Sequence, residues 1–241
     1  YTLSLLATLG AKDTQQPLVN TLVRTLYTEL TSLVVNVEFP RRDASIPTRM
    51  IQNTPRGIYQ GEILDPEVRA ISVNIARAGT LPSQVTYDLL NTVLNPRLVR
   101  QDHITMSREL DAAEHVVGSN TGGTKIGGDV DNAIVLFPDP MGATGSSLST
   151  AISMYKKKVP GQHRKIVCVN LIVTPEFIKR LSTDHPDAVL YALRLDRGMS
   201  PPEVLATAPG ELWEKERGLD EKQYIVPGAG GMGEVMNNAY V

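Results

Sequence analysis

Aromatic residues make up only 5% of this 241-residue chain, so its core must be mostly aliphatic. Cysteine occurs once, at Cys168, which excludes an internal disulfide and fits a reducing, cytoplasmic setting. Its neighbours Ile166, Val167 and Val169 are apolar. That suits a buried structural thiol; a nucleophile would need an exposed, electropositive site. No charge of one sign dominates: 24 Lys and Arg stand against 26 Asp and Glu. The balance argues against broad binding to nucleic acid or to an acidic membrane. No apolar run is long enough to span a bilayer, and no secretory signal is present. His103, His115, His163 and His185 lie at wide, irregular spacings that match no metal constellation. His185, just before Pro186, is expected in a surface turn. The chain starts at Tyr1, so removal of an upstream segment, such as a transit peptide, is expected.

What is present is an alternation of strands and helices. The length suits one α/β core, and the hydrophobic fraction of 41% is that of a globular domain. Leu18, Leu22, Leu26, Leu30 and Leu33 predict an amphipathic helix, with Pro17 near its start. Residues 39–67, with Pro40, Pro47, Pro55 and Pro66, predict loop and short edge strands. Strands are predicted at 70–76, 133–137, 166–173, 188–195 and near 224–226. Helices are predicted from Pro82, from Leu148 and from Pro175. This order predicts an α/β fold with a mostly parallel sheet flanked by helices, a single domain over 1–241. Such sheets bind ligands at the carboxyl ends of their strands, where Arg77 and Asp139 would share one crevice. Residues 118–128 read as a mobile loop, and residues 199–219 as an excursion.

The most informative stretch is 132–147. An apolar strand stops at Asp139 between two prolines. The small-residue loop Gly142-Ala143-Thr144-Gly145-Ser146-Ser147 follows, then Leu148, Ala151, Ile152 and Tyr155 at helical spacing. A helix N-terminus offers free N–H groups and the positive end of a dipole, which suits a phosphate. An aspartate at the strand exit suits a sugar hydroxyl or a developing positive charge. A plain strand-to-helix turn, with Ser146 or Ser147 as N-cap, is the alternative reading. Gly118 to Lys125 fails as a nucleotide P-loop, because Thr124 separates Gly123 from Lys125. Gly228, Gly230 and Gly233 match a dinucleotide fingerprint, but the chain ends before the second strand and acid which that motif needs. Lys156, Lys157 and Lys158 read as a solvated helix end.

Together these segments resemble the uracil phosphoribosyltransferases. Asp139-Pro140-Met141-Gly142-Ala143-Thr144-Gly145-Ser146-Ser147 resembles that family's phosphoribosyl-pyrophosphate (PRPP) loop, with one acid followed by proline. Arg77-Ala78-Gly79 and Met106-Ser107-Arg108-Glu109 resemble its two arginine segments, and Tyr224-Ile225-Val226-Pro227-Gly228-Ala229-Gly230 its base-reading segment. The resemblance implies phosphoribosyl transfer from PRPP to uracil, giving UMP and pyrophosphate in pyrimidine salvage, with Mg2+ as cofactor and no metal site of the protein's own. It implies a smaller hood from the N- and C-terminal segments, and a homo-oligomer. It also implies roles. Residues Asp139 to Ser147 would bind PRPP, with Asp139 as the catalytic residue that binds the ribose hydroxyls and favours positive charge on the ring. Arg77 and Arg108 would meet the pyrophosphate. Ile225, Gly230, Gly231 and Met232 would face uracil.

The chain departs from the family at Gly231, where the family carries an aspartate that contacts substrate, and at Ser146, where it carries glycine. The Arg108 segment also continues Leu110-Asp111-Ala112 rather than with the family's acidic-threonine pattern. These departures motivate two further readings: a non-catalytic relative serving as a subunit of an assembly, and a phosphoribosyltransferase for another base.

Overall fold

The computed structural model describes residues 1–110 and 116–240, with side chains outside 107–121. In chain order the elements are α1 (Thr2–Leu9), α2 (Leu18–Glu38), β1 (Arg41–Pro47), β2 (Ile58–Leu64), β3 (Ala70–Ala76), α3 (Thr80–Val93), β4 (Val99–Leu110), β5 (Val116–Lys125), β6 (Ile134–Pro138) and β7 (Met141–Gly142). They continue with α4 (Ser146–Lys158), β8 (Lys165–Val173), α5 (Pro175–Asp184), β9 (Val189–Leu195), α6 (Pro202–Leu205) and α7 (Met232–Val235). Strands β1 and β2 form a separate antiparallel hairpin.

The main sheet runs β5-β4-β3-β6-β8, with β9 also on β8. Its pairings are parallel except β4 with β5. Strand β6 leaves β8 at the Pro138–Val169 pair, and β7 rejoins it at Ile172 and Val173. The gap between holds Asp139 and Pro140. A proline cannot donate to a ladder, so the strand breaks where the ligand loop must begin.

Alternation along the strands divides the core. Ile134, Leu136, Val167 and Val169 pack with α2 and α3, while Val135, Phe137, Ile166 and Cys168 pack with α4 and α5. Both faces are covered, which is why these strands read as continuous apolar runs. On α2, Leu22, Leu26 and Leu30 are buried, but Leu18 and Leu33 are exposed. A step of four residues overshoots a 3.6-residue turn, so a row of such steps drifts off the buried face. Val19, Val23, Tyr27 and Val34 complete the buried face instead.

Three expectations are corrected. Residues 118–125 are not loop: they belong to β5, paired along β4, and backbone pairing at a sheet edge needs no apolar side chains. Residues 224–226 make no strand, only a bridge between Ile225 and Leu219. His185 is buried, not in a surface turn; its Nε2 lies 2.9 Å from Ser149 O, because α5 ends against α4.

The chain termini meet over the sheet's carboxyl end, as the hood expectation requires. Gln16 Nε2 donates to Val235 O and Met236 O at 3.1 Å each, and Asn20 Nδ2 to Met236 O at 3.2 Å. No helix among the described residues is long and apolar enough to cross a membrane.

Candidate active site

Loop 139–147 is built from its backbone outward. Asp139 N donates to Val169 O at 3.1 Å, and Asp139 O accepts from Asn170 Nδ2 at 2.7 Å. Asp139 Oδ1 accepts from Met141 N at 3.1 Å, a turn that fixes the carboxyl at the strand exit. Leu171 N and Ile172 N donate to Pro140 O at 3.1 Å each, and Thr174 N to Gly142 O at 3.1 Å. Thr174 Oγ1 donates to Ala143 O at 2.7 Å and also accepts from Phe177 N, capping α5. The segment from Val169 to Thr174 thus holds four loop residues, Asp139, Pro140, Gly142 and Ala143.

Helix α4 begins at Ser146, and its N-cap is Gly145 at φ 77°. Neither Ser146 nor Ser147 caps it, so the plain serine-cap reading falls. Gly145 supplies a left-handed turn that other residues adopt at a cost. Gly145 has no side chain to cap this terminus, and Thr144 Oγ1 accepts from Ser146 N at 3.3 Å, so the loop's own hydroxyl sits at the positive end of the helix. The three lysines, Lys156 to Lys158, close the same helix at its negative end.

Arg77 follows β3, the parallel neighbour of β6. The turn after β3 lies against the end of β6, since a Cβ at Gly79 would lie 3.1 Å from Pro138 O. Arg77 and the Asp139 loop thus follow neighbouring strands at the same end of the sheet. Arg77 Nη2 donates to Glu234 Oε1 at 3.2 Å, and Nη1 to Ala239 O at 3.0 Å. Beside Arg77 a cavity of about 270 Å3 carries a second guanidinium, Arg24, among amides and His103. The backbone of Arg108 pairs with Ser119 on β5, which puts it on the next strand over. Its side chain lies outside the described residues, as does His115.

The C-terminal segment is tied down by a buried acid. Asp196 accepts from Gly228 N at 2.8 Å through Oδ2 and from Arg194 Nε at 2.5 Å through Oδ1. Ile225 is buried against the core. Gly230 has φ 73°, so its backbone can turn toward a flat ligand. The Met232 side chain is 2% exposed and packs in the core, so its backbone is what it offers a ligand. Burial pushes the Cys168 thiol up to about 12, in keeping with a structural role.

Sequence reasoning missed Asn170, Thr174, Asp196 and Glu234. The first three act on backbone groups distant in the chain, for which no local pattern exists. Glu234 did carry a signal, as a carboxylate three residues after a glycine in the base-reading segment.

A model of the uracil phosphoribosyltransferase family matches residues 2–215. The uracil phosphoribosyltransferase of Dictyoglomus turgidum is 31% identical over 212 residues, 88% of this chain and 84% of that protein. That of Dictyoglomus thermophilum is 31% identical over 191 residues, 79% of this chain and 76% of that protein. Among solved structures, the AQ2163 protein of Aquifex aeolicus superposes with a TM-score of 0.73 at 19% identity, covering 100% of this chain and 95% of that one. That likeness shows the fold.

Proposed function

Since the chain belongs to the uracil phosphoribosyltransferase family, we propose that it transfers the phosphoribosyl group of PRPP to N1 of uracil, releasing pyrophosphate and UMP in pyrimidine salvage. The observation that supports it most is the contact of the turn after β3 with the end of its parallel neighbour β6. One leads into Asp139 and the N-terminus of α4; the other carries Arg77.

In this reading the N–H groups at the start of α4, with Thr144, Ser146 and Ser147, hold the 5-phosphate. Arg77 and Arg108 take the pyrophosphate, for which a guanidinium's paired donors are suited. The bond from C1 to the pyrophosphate oxygen breaks as the bond from C1 to uracil N1 forms, and the N1 proton leaves to the departing pyrophosphate or to water. Positive charge develops on the ribose ring, and the Asp139 carboxylate favours it. Side chains do little covalent work, so catalysis is positioning and electrostatics. Ile225, Gly230 and Gly231 present backbone groups to the base.

No group of three or more His, Cys, Asp or Glu side chains able to hold a metal exists among the described residues. Mg2+ commonly binds through one or two carboxylates plus substrate phosphates. That donor set fits Asp139 together with PRPP. When bound, the ion would neutralise charge on the departing pyrophosphate.

Pyrophosphate release from PRPP and Mg2+, with and without uracil, tests the reading. Release that depends on uracil supports it, and release that depends on a different base in a panel replaces uracil with that base. Binding of PRPP with no release for any base would instead favour the non-catalytic relative motivated by Gly231. Self-association into a dimer or tetramer belongs to the same reading and is measured by sedimentation.

A further inference from the structure

Gly231 has φ −77° and ψ 85°, a conformation open to any residue. Its backbone therefore does not require glycine. What a side chain there would meet is Glu234, whose carboxylate would have to swing aside. A Cβ at position 231 would lie 2.1 Å from Glu234 Oε2 and 3.1 Å from its carboxyl carbon, with no other atom closer than 3.9 Å. The Glu234 carboxylate fills the place that a short side chain on residue 231 would take. Its other oxygen, Oε1, accepts from Arg77 Nη2.

We propose that Glu234 is a positioning residue for Arg77, and that Gly231 and Glu234 are a matched pair sharing one carboxylate place. The inference rests on the function proposed above. Glu234 Oε1 and Ala239 O take two of the five N–H donors of the guanidinium, and the rest are left for an anion. The support is rigid. Met232 and Met236, on either side of Glu234, are both buried in the core, and Gln16 and Asn20 hold the carbonyls of Val235 and Met236. The side chains of Arg77 and Glu234 are 42% and 32% exposed, so the pair adds little to stability. Its consequence is orientation: a guanidinium already aimed loses less freedom when pyrophosphate arrives.

Steady-state kinetics of the full chain, with thermal melting as a folding control, test this in the wild type and four variants. Loss of one hydrogen bond to a charged group predicts that E234A raises KM for PRPP about tenfold. KM for uracil stays unchanged. E234Q keeps an acceptor and falls between E234A and wild type. G231D alone puts two carboxylates in one place, so it lowers both the melting temperature and the affinity for PRPP. In G231D/E234A the new carboxylate takes the vacated place, and KM for PRPP returns toward wild type. A folded E234A with KM for PRPP unchanged overturns the inference. A lowered KM also overturns it, showing that Glu234 competes with pyrophosphate. So does a folded double variant that recovers nothing. A wild type without base-dependent release removes the proposed function and this inference together; an active wild type with an indifferent E234A removes the inference alone.

Discussion

Asp139 is fixed through its own N–H, its carbonyl and its carboxyl, to Val169, Asn170 and Met141 respectively. Replacement by asparagine keeps an oxygen to accept from Met141 N, and exchanges the charge and the second acceptor for a neutral NH2. Asp139→Asn is therefore expected to melt like the wild type while kcat falls about a hundredfold, a typical loss when one electrostatic stabiliser of the transition state is removed. Turnover assays beside circular-dichroism melting check it, and an undiminished kcat would end the assignment. At this scale the sequence was legible where function lies in contiguous residues. The order strand, acid, small-residue loop, helix is local chemistry, and β6 and α4 flank that loop as the order predicts. It was illegible where a role depends on a distant partner. Thr174 supports Ala143 from 31 positions away, and His185 is buried only because Ser149 faces it from another helix.

Among the elements, the excursion at 199–219 is less autonomous than its prolines suggested. Arg197 Nη1 donates to Glu216 Oε1 at 3.1 Å and to Val204 O at 3.0 Å, and Nη2 to Thr207 O. Glu216, fully buried, also accepts from Gly210 N at 2.7 Å. One arginine and one glutamate thus fasten both halves of the excursion to the end of β9. Removing one partner of a buried pair strands the other charge. Glu216→Ala is expected to cost about 3 kcal/mol and to open residues 199–219 to protease before the sheet melts. Limited proteolysis followed by mass mapping would show the first cuts there; cuts elsewhere would refute the local tie. Of the elements that sequence reading found, α4 and α5 bury one face and so carry periodicity, while β3, β6 and β8 bury both and read as apolar runs. It missed β5, whose strand identity comes from the backbone of β4 rather than from its own Gly and Thr residues.

Over the whole molecule, several ionisable groups are held in the protonation state that folding prefers, and they set both limits of the stable pH range. Burial pushes the Cys168 thiol from 9.0 up to about 12. Burial, and then the hydrogen bond to Glu38, pushes the Tyr191 phenol from 10.0 up to about 12. Tyr27 and Tyr155 are raised in the same direction, mainly by burial. Above pH 9 the unfolded chain releases protons that the folded chain keeps, so stability falls as pH climbs from about 9 toward 12. The acid limb has the opposite sign. The hydrogen bond from Lys165 lowers Glu38, that from Lys156 lowers Asp187, and that from Arg69 lowers Asp129. Their contribution is complete above the ordinary carboxylate range and is lost as pH drops through it. Melting temperature against pH should therefore show a plateau bounded by a decline below about pH 5 and another above about pH 9. Cys168→Val removes one alkaline contributor without adding a polar group to the core between the sheet and α4. It should make the alkaline decline shallower and leave the acid limb as it was. A wild type whose melting temperature holds level to pH 11 would show that these buried acids do not govern the limit.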